Sequence, residues 1–405
     1  MQTMFKLLGR WGLLAIFVFF GTEIFLRIFK PHSLQYYWDQ KRLHRFHDET
    51  FIALEPNQDI YITHYYDLWE GRFSTNSLGF RATPEVDDAS PKLLCLGDSL
   101  VMGFGVGDDD TFCKKLDFFE WKGEKLRSIN LGVDGFGSYD YYLRLKEVLP
   151  LLKNVRLVLL FISPNDFTLP EVIRNTGVKS DDENREIRMK DPKAFQKFRM
   201  QFFITRYSYT LLAFKLFYEQ MFVKFAIAKN EWNQFWNRLS ESPVSYVQTT
   251  FVPERQAKIS ITPYENCPEV VPSSFSCQEQ IVELKPLLPI TQKAYASLLE
   301  LTKSQNVNLV PIFTPVQVEE IYCFLNGKTH ALSEYYHRSK KFFEEHKIAS
   351  IDLLPYTKNM CAVNDRHVKL KGIMDHFIPG DGHLTKLGND WMKESLSKAL
   401  RSEKP

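Results

Sequence analysis

Four short stretches of the chain carry residue types that together could move an acyl group. The first is Leu96-Gly97-Asp98-Ser99-Leu100, followed by Val101-Met-Gly-Phe-Gly105. A serine hydroxyl there is a candidate nucleophile, weak until a neighbouring base takes its proton. The second is Asn130-Leu-Gly-Val-Asp-Gly135-Phe-Gly137-Ser. Glycine lets the backbone come close to a ligand and present an N–H to it. The third is Ser163-Pro-Asn165-Asp166, where an asparagine amide can donate into the same cleft. The fourth is Gly380-Asp381-Gly-His383-Leu-Thr-Lys-Leu-Gly388. Histidine is suited to general-base work near neutral pH, and a carboxylate can fix its tautomer. Among the 10 histidines, His376 is the nearest rival for that work. Alone, each stretch reads equally well as turn chemistry, and Ser99 as a helix cap.

The elements that must position these residues are strands of one sheet. Lys92 to Leu96 is a short apolar run of buried-strand type, Leu126 to Leu131 a second strand, and Val155 to Ile162 the strongest. Continuous apolar runs fit strands covered on both faces. Between them, Thr111 to Lys122 and Tyr139 to Leu149 read as helices. The rhythm returns with a helix over Pro289 to Gln305, a strand over Asn308 to Phe313 and a helix over Leu332 to His346. A short strand over Ile348 to Leu353 and a last helix over Thr385 to Leu400 complete it. Strands alternating with helices imply a parallel α/β sheet. Ser99, Gly135 and Asn165 then each follow a strand, on the edge where ligand clefts open.

Taken in order, Ser, Gly, Asn and Asp/His at these places resemble the GDSL-type SGNH hydrolase superfamily, over about Lys92 to Phe167 and Leu287 to Leu400. Asn76-Ser-Leu-Gly-Phe-Arg81, behind an N-terminal anchor, is similar to membrane-anchored bacterial members. The resemblance implies a three-layer α/β/α, flavodoxin-like domain with a mostly parallel sheet. It implies Ser99 as nucleophile, His383 as base and Asp381 as the acid that orients it. The backbone N–H groups of Ser99 and Gly135, with the Asn165 amide, become the oxyanion hole. Asp98 and Asp166 are expected to hold loops. Two positions depart from the family pattern. Ser163 stands where a glycine is usual, and Gly382 alone separates Asp381 from His383, where two residues are usual.

The expected function is acyl-ester cleavage through an acyl-enzyme, as in an esterase, lipase or deacetylase. The alternatives are an O-acetyltransferase that passes the acyl group to an extracytoplasmic polysaccharide, and a non-catalytic envelope or carbohydrate-binding protein on the same fold. The substrate is an acyl ester or an acylated glycan or lipid. No metal or nucleotide cofactor is expected: Gly103, Gly105 and Gly107 make neither a dinucleotide fingerprint nor a Walker loop, and no Cys/His cluster has zinc spacing. The net charge of +2 argues against a nucleic-acid protein built on a global basic field. Hydrophobic residues at 44% and charged residues at 25% exclude wholesale disorder.

The chain organises as an anchor (1–30), a lead-in segment packing on the catalytic domain (31–90) and the catalytic domain (91–400), with an aromatic-rich helical insert at about 176–285. Trp11 to Leu26, extended by Met4 to Leu8, approaches the ~20 apolar residues that cross a bilayer as a helix. Flanking Lys and Arg are balanced, so the expectation of an N-terminus inside and the catalytic domain outside, as in a periplasm, comes from the resemblance. Within the lead-in, Ile60 to Tyr66 alternates as a strand. In the insert, Lys179 to Lys190 is charged and reads as exposed. Pro192 to Leu239 is helical in pattern and rich in Phe; it reads as an amphipathic cap on the main domain, with a membrane-surface or acyl-chain-contacting element as the rival reading. Ser242 to Lys285, with five prolines, reads as loop. Of six cysteines, Cys95 reads as a small apolar core residue, and Cys267 and Cys277 could pair outside the cytoplasm.

Overall fold

A computed structural model describes residues 2–86, 89–163, 166, 179–219, 221, 277–278, 286–315, 318–330, 333–361, 372–379 and 381–402. The chain begins with a long apolar helix, α1 (Gln2–Phe29), then α2 (His32–Arg42). Two antiparallel hairpins follow, β1 (His44–His47) with β2 (Phe51–Leu54), and β3 (Asp59–Thr63) with β4 (Glu70–Ser74). The α/β part opens with β5 (Lys92–Leu96), α3 (Ser99–Met102), α4 (Phe112–Lys115), β6 (Phe119–Trp121), β7 (Glu124–Asn130), α5 (Ser138–Val148) and β8 (Val155–Ile162). Among the described residues of the insert there are three helices: α6 (Asp181–Lys190), α7 (Pro192–Tyr207) and α8 (209–219). Then come β9 (Cys277–Gln278), α9 (Pro289–Ser304), β10 (Asn308–Phe313), α10 (Val318–Leu325), β11 (Thr329–His330), α11 (Ser333–Glu345), β12 (Ile351–Asp352) and α12 (Lys386–Ser402).

Six strands form the main sheet in the order β12-β10-β8-β5-β7-β6. The first five run parallel, and only β6 is antiparallel to its neighbour β7. Numbering the parallel strands in chain order gives 2-1-3-4-5, the flavodoxin-like order, in which the winding reverses between the first strand and the third. Those two strands are β5 and β8, so the cleft-forming edge lies just where Ser99 leaves β5.

Strand alternation divides the core between the two sheet faces. Leu94, Leu96, Val158, Leu160 and Ile162 face one way and pack with Tyr141 and Leu145 of α5 and Tyr295 and Leu298 of α9. Leu93, Cys95, Leu157, Leu159 and Phe161 face the other way, onto Phe112 of α4 and Trp391, Met392 and Leu396 of α12. The result is the three-layer α/β/α architecture that the sequence implies. Leu43, Leu54, Ile60, Ile62 and Phe73, all from residues 31–90, belong to the first of these clusters.

Several expectations are corrected. The helix expected over Thr111 to Lys122 ends at Lys115, and the rest is β6 and a hairpin. Lys122 and Gly123 both take positive φ (50° and 82°), and two such residues close a two-residue hairpin loop, which no helix can contain. The charged stretch Lys179 to Lys190 is not an exposed run. Ser180 and Glu183 form a capping box that starts α6, and Asp182 and Arg185 are buried. They are buried because they are paired: Arg185 lies 3.0 Å from Asp140 of α5, and Asp182 accepts a hydrogen bond from Thr291 of α9. Cys95 is fully buried in the core as expected, and is in addition disulfide-bonded to Cys113. Cys277 pairs with Cys323, joining β9 to α10, rather than with Cys267, which lies outside the described residues. Of Pro192 to Leu239, residues 192–219 and 221 are described and are helical as α7 and α8 apart from the junction at Ser208; the rest of it, and all of Ser242 to Lys285 except Cys277 and Gln278, lies outside the described residues.

Candidate active site

Ser99 is placed by the tight exit from β5. A side chain on Gly97 would put its Cβ 2.4 Å from the Val101 side chain, so the strand and α3 can meet only through glycine. Asp98, not Ser99, caps α3: its carboxylate accepts the Leu100 N–H at 3.0 Å. That leaves the Ser99 hydroxyl free of capping duty. The loop after β7 then closes on α3 from one side. Asn130 donates its amide to the Val101 carbonyl (2.8 Å) and accepts the Gly132 N–H (2.9 Å). A Cβ on Gly132 would lie 2.1 Å from the Met102 backbone nitrogen. Backbone cannot yield as a side-chain tip can, so Gly132→Ala is expected to displace α3. Urea unfolding of the variant should show a loss of ~1–3 kcal/mol, the range for overpacking, and unchanged stability would contradict the close approach.

From the opposite end of the chain, a short β-bridge between Phe377 and Leu384 frames a turn. Within it, Ile378 donates to the His383 carbonyl at 2.7 Å, and Asp381 donates to the Ile378 carbonyl at 3.1 Å. Gly382 sits at φ 83°, a left-handed conformation that folds the side chains of its two neighbours onto one another. The single-residue spacing between Asp381 and His383 is thereby accommodated. The Asp381 carboxylate contacts His383 Nδ1, and His383 Nε2 lies 2.8 Å from Ser99 Oγ. A carboxylate only accepts, so Nδ1 carries the proton, and Nε2 is left to accept from the serine hydroxyl. The fold thus joins Ser99, His383 and Asp381 in one continuous relay at the end of β5.

Electrostatics act on both ionisable members of the relay. Burial alone would push the His383 imidazolium down, but the hydrogen bond and charge of Asp381, with Asp98 and Asp134 behind, more than reverse this and hold it above its usual value of 6.5. Burial pushes the Asp381 carboxyl up, and its hydrogen bond to His383 outweighs this, so Asp381 stays ionised below the usual carboxylate range. A raised histidine pKa stabilises the fold fully below the unfolded value, and that contribution disappears as pH climbs through the folded value.

Gly135 follows β7 on the same sheet edge, exposed and at φ 72°, with nothing within 4 Å of where a Cβ would stand. Its neighbour Asp134 is near enough to act on the charge of His383. Asn165, the other expected oxyanion donor, lies outside the described residues. Asp166 is fully buried; it accepts the Tyr141 hydroxyl at 2.7 Å and the Ser163 N–H at 3.3 Å, so it staples its loop to α5. Burial and the charges of Asp98 and Asp182 push its carboxyl well up. His376, the rival base, is buried with Nδ1 3.1 Å from the Gly372 carbonyl.

Sequence reasoning missed the residues that pack around the imidazole. The Phe104 ring lies 4.6 Å from that of His383, and the Trp69 ring 5.5 Å from Phe104. The Phe104 N–H also donates to the Ser99 carbonyl at 3.0 Å. Behind α3, the guanidinium of Arg81 is 1% exposed and donates to the carbonyls of Met102 (2.9 Å), Gly103 (2.5 Å) and Val106 (2.6 Å). The one signal for Phe104 was its position between two glycines just after the candidate nucleophile. Arg81 ended a recognised segment, but nothing in its spacing to Ser99 shows that it meets α3. Among the described residues, no group of three or more His, Cys, Asp or Glu side chains could hold a metal ion.

No family model matches the chain, and no curated protein matches it. Similar solved structures include a proposed acylhydrolase from Bacteroides fragilis NCTC 9343, 13% identical, with 78% of this chain and 90% of that one covered and a TM-score of 0.29. Another, from Streptococcus pneumonia, is described as a proposed platelet activating factor; it is 10% identical, with 78% of this chain and 86% of that one covered and a TM-score of 0.33. At these identities and scores neither likeness carries weight for what this chain does.

Proposed function

We propose that the chain is a membrane-anchored serine hydrolase of acyl esters. The observation that carries this reading is the unbroken Ser99–His383–Asp381 relay at the reversal point of a parallel sheet. Ser99 Oγ attacks the ester carbonyl carbon as His383 Nε2 takes the hydroxyl proton. The carbonyl oxygen becomes an oxyanion, for which the donors are the backbone N–H groups of Ser99 and Gly135 and the amide of Asn165. Losing one such donor typically costs ~3–4 kcal/mol of transition-state stabilisation. His383 then gives its proton to the departing alcohol, leaving an acyl-Ser99 ester. Water attacks the acyl carbon as the same imidazole takes its proton; the bond from that carbon to Ser99 Oγ then breaks, the imidazolium returns the proton to Oγ, and the carboxylic acid leaves with Ser99 regenerated.

Because the base must be neutral, kcat/KM for an aryl acetate should fall tenfold per pH unit on the acid side of a single pKa above 6.5. An acid limb below pH 6 would contradict the Asp381-raised imidazole. In Asp381→Asn the limb should move down, alongside a drop in kcat of up to ~10⁴-fold.

One feature supports the anchor and another supports a compartment outside the cytoplasm. Within α1, Gly9–Phe29 is a 21-residue stretch of mean hydropathy 2.0 with none of its residues fully buried in the protein. Two disulfides, Cys95–Cys113 and Cys277–Cys323, suit an oxidising compartment. One observation favours a second reading, transfer of the acyl group to a sugar hydroxyl. Trp69 and Phe104, partly exposed, form an aromatic pair that ends on His383, a surface on which a sugar ring can stack. Comparing acetate release with and without acceptor glycans separates the two. Acylated glycan forming at the expense of free acetate selects transfer, and unchanged acetate release selects hydrolysis.

A further inference from the structure

The helices α7 and α8 carry more apolar surface than the fold uses. α7 packs Phe195, Phe198 and Phe202, and one side of Phe203, against Phe46 and Phe51 of the first hairpin. α8 packs Tyr209 and Leu212, with Ala213 and Leu216, against Leu26 of α1 and Leu34, Tyr37 and Trp38 of α2. Each helix has a second stripe at the same i, i+3, i+4, i+7 spacing. On α7 it is Met200, Phe203, Ile204 and Tyr207; on α8 it is Phe214, Phe217, Tyr218 and, one turn on, Met221. All eight are large and exposed, from 38% at Phe203 to 67% at Phe214. A soluble amphipathic helix buries its apolar stripe and shows charge elsewhere; a helix lying in a membrane interface keeps such a stripe for lipid.

The charge pattern points the same way. Over α7 and α8 there are five basic residues (Lys193, Lys197, Arg199, Arg206 and Lys215) and one acid, Glu219; Lys215 pairs with Glu219 and Arg206 with Glu55, while Lys193, Lys197 and Arg199 lie on α7 without an acid of their own helix. Basic residues beside an exposed apolar stripe match an anionic headgroup layer over acyl chains. Position is fixed by α1. The Glu23 carboxylate, near the end of the apolar span, accepts the N–H groups of Tyr209 (3.1 Å) and Thr210 (2.9 Å) and the Ser208 hydroxyl (2.8 Å). Arg27 bridges the same carboxylate at 2.8 Å and donates to the Tyr207 carbonyl at 2.8 Å. The junction between α7 and α8 is therefore clamped to the last turns of α1, where a spanning helix would leave the bilayer.

We infer that the exposed stripes of α7 and α8 lie in the outer interface of the bilayer beside α1, as a second membrane contact that fixes how the catalytic domain sits over the lipid. This rests on α1 being a membrane anchor. The stripe is continuous with that anchor through the Glu23–Arg27 clamp, which favours lipid over a second protein as its occupant.

The test uses the full chain in vesicles of phosphatidylethanolamine and phosphatidylglycerol with alkyne-tagged acyl chains. The photo-crosslinker 4-benzoylphenylalanine replaces, one at a time, Phe214, Phe217, Phe20 of α1 and Tyr61. Tyr61 is 59% exposed on β3 and serves as the aqueous control. The expected result is lipid adducts at 214 and 217 in yields comparable with 20 and several-fold above 61. Adducts at 20 but only control yields at 214 and 217 would overturn the second contact and leave the anchor standing. Crosslinks from 217 to protein instead of lipid would overturn it in favour of a second copy or partner. An absence of adducts at 20 would remove the anchor and the inference with it.

Discussion

His383→Ala should lower kcat/KM for an aryl acetate by ~10⁴-fold or more, and Ser99→Ala by a similar factor. The double variant should be no slower than either single one. The reason is geometric: the two side chains share one hydrogen bond of 2.8 Å, and the serine has no other base within the described site. Removing either member therefore ends the same proton transfer, and the second removal finds nothing left to lose. Neither change should disturb folding much. Ser99 is small, His383 is partly exposed, and α3 keeps its Asp98 cap in both variants. Thermal unfolding of each variant close to the parent's, with activity lost, is the expected pair of results. Factors that multiply in the double variant would show that the two residues do not act as a unit.

Arg81→Met should be the most damaging single change to stability, by ~3–5 kcal/mol. Burial pushes the guanidinium down to about 10, and Asp108, 3.4 Å away, partly offsets this, so it stays charged at neutral pH. Its donors satisfy three carbonyls around the end of α3, and it packs 3.9 Å from the centre of the Phe73 ring. Methionine fills much of the volume but leaves the carbonyls of Met102, Gly103 and Val106 without a donor, and Asp108 without its cation. Because α3 begins at Ser99, the loss should also misplace the nucleophile. A urea titration should show the midpoint falling sharply, and kcat of the fraction still folded should fall with it. Arg81→Lys, which restores charge but not the fork of donors, should recover only part of the stability. A midpoint unchanged in Arg81→Met would mean that α3 is held by other contacts.

Arg81 also shows where the sequence stops being informative. Local patterns carried the sheet well. Val155 to Ile162 is a run of apolar and β-branched residues broken only by Arg156, and it is β8 with only Arg156 exposed. Pro289 to Ser304 has a proline at its first position and a clean helical stripe, and it is α9. Ser99, Gly135 and the Asp381–His383 pair fall after strands or beside a terminal helix, so their gathering on one edge follows from topology. What local pattern cannot carry is pairing across long separations. Cys95 to Cys113 and Cys277 to Cys323 are two of many possible connectivities. Asp182 and Arg185 look like solvated charges until Thr291 and Asp140, far along the chain, come to meet them. The α2 helix has a polar composition, and its buried Leu34, Tyr36 and Asp39 are set by what packs on them rather than by a strong apolar stripe.

The relay itself is the central claim, and one labelling experiment addresses it directly. The full chain is treated with a fluorophosphonate, which reacts only with a serine whose proton is being taken, and the adduct is mapped by peptide mass. Stoichiometric phosphonylation of Ser99, absent in Ser99→Ala and much slower in His383→Ala, is the predicted result. An unmodified Ser99 in the folded, disulfide-intact protein, or equal labelling with and without the imidazole, would contradict the serine-hydrolase account.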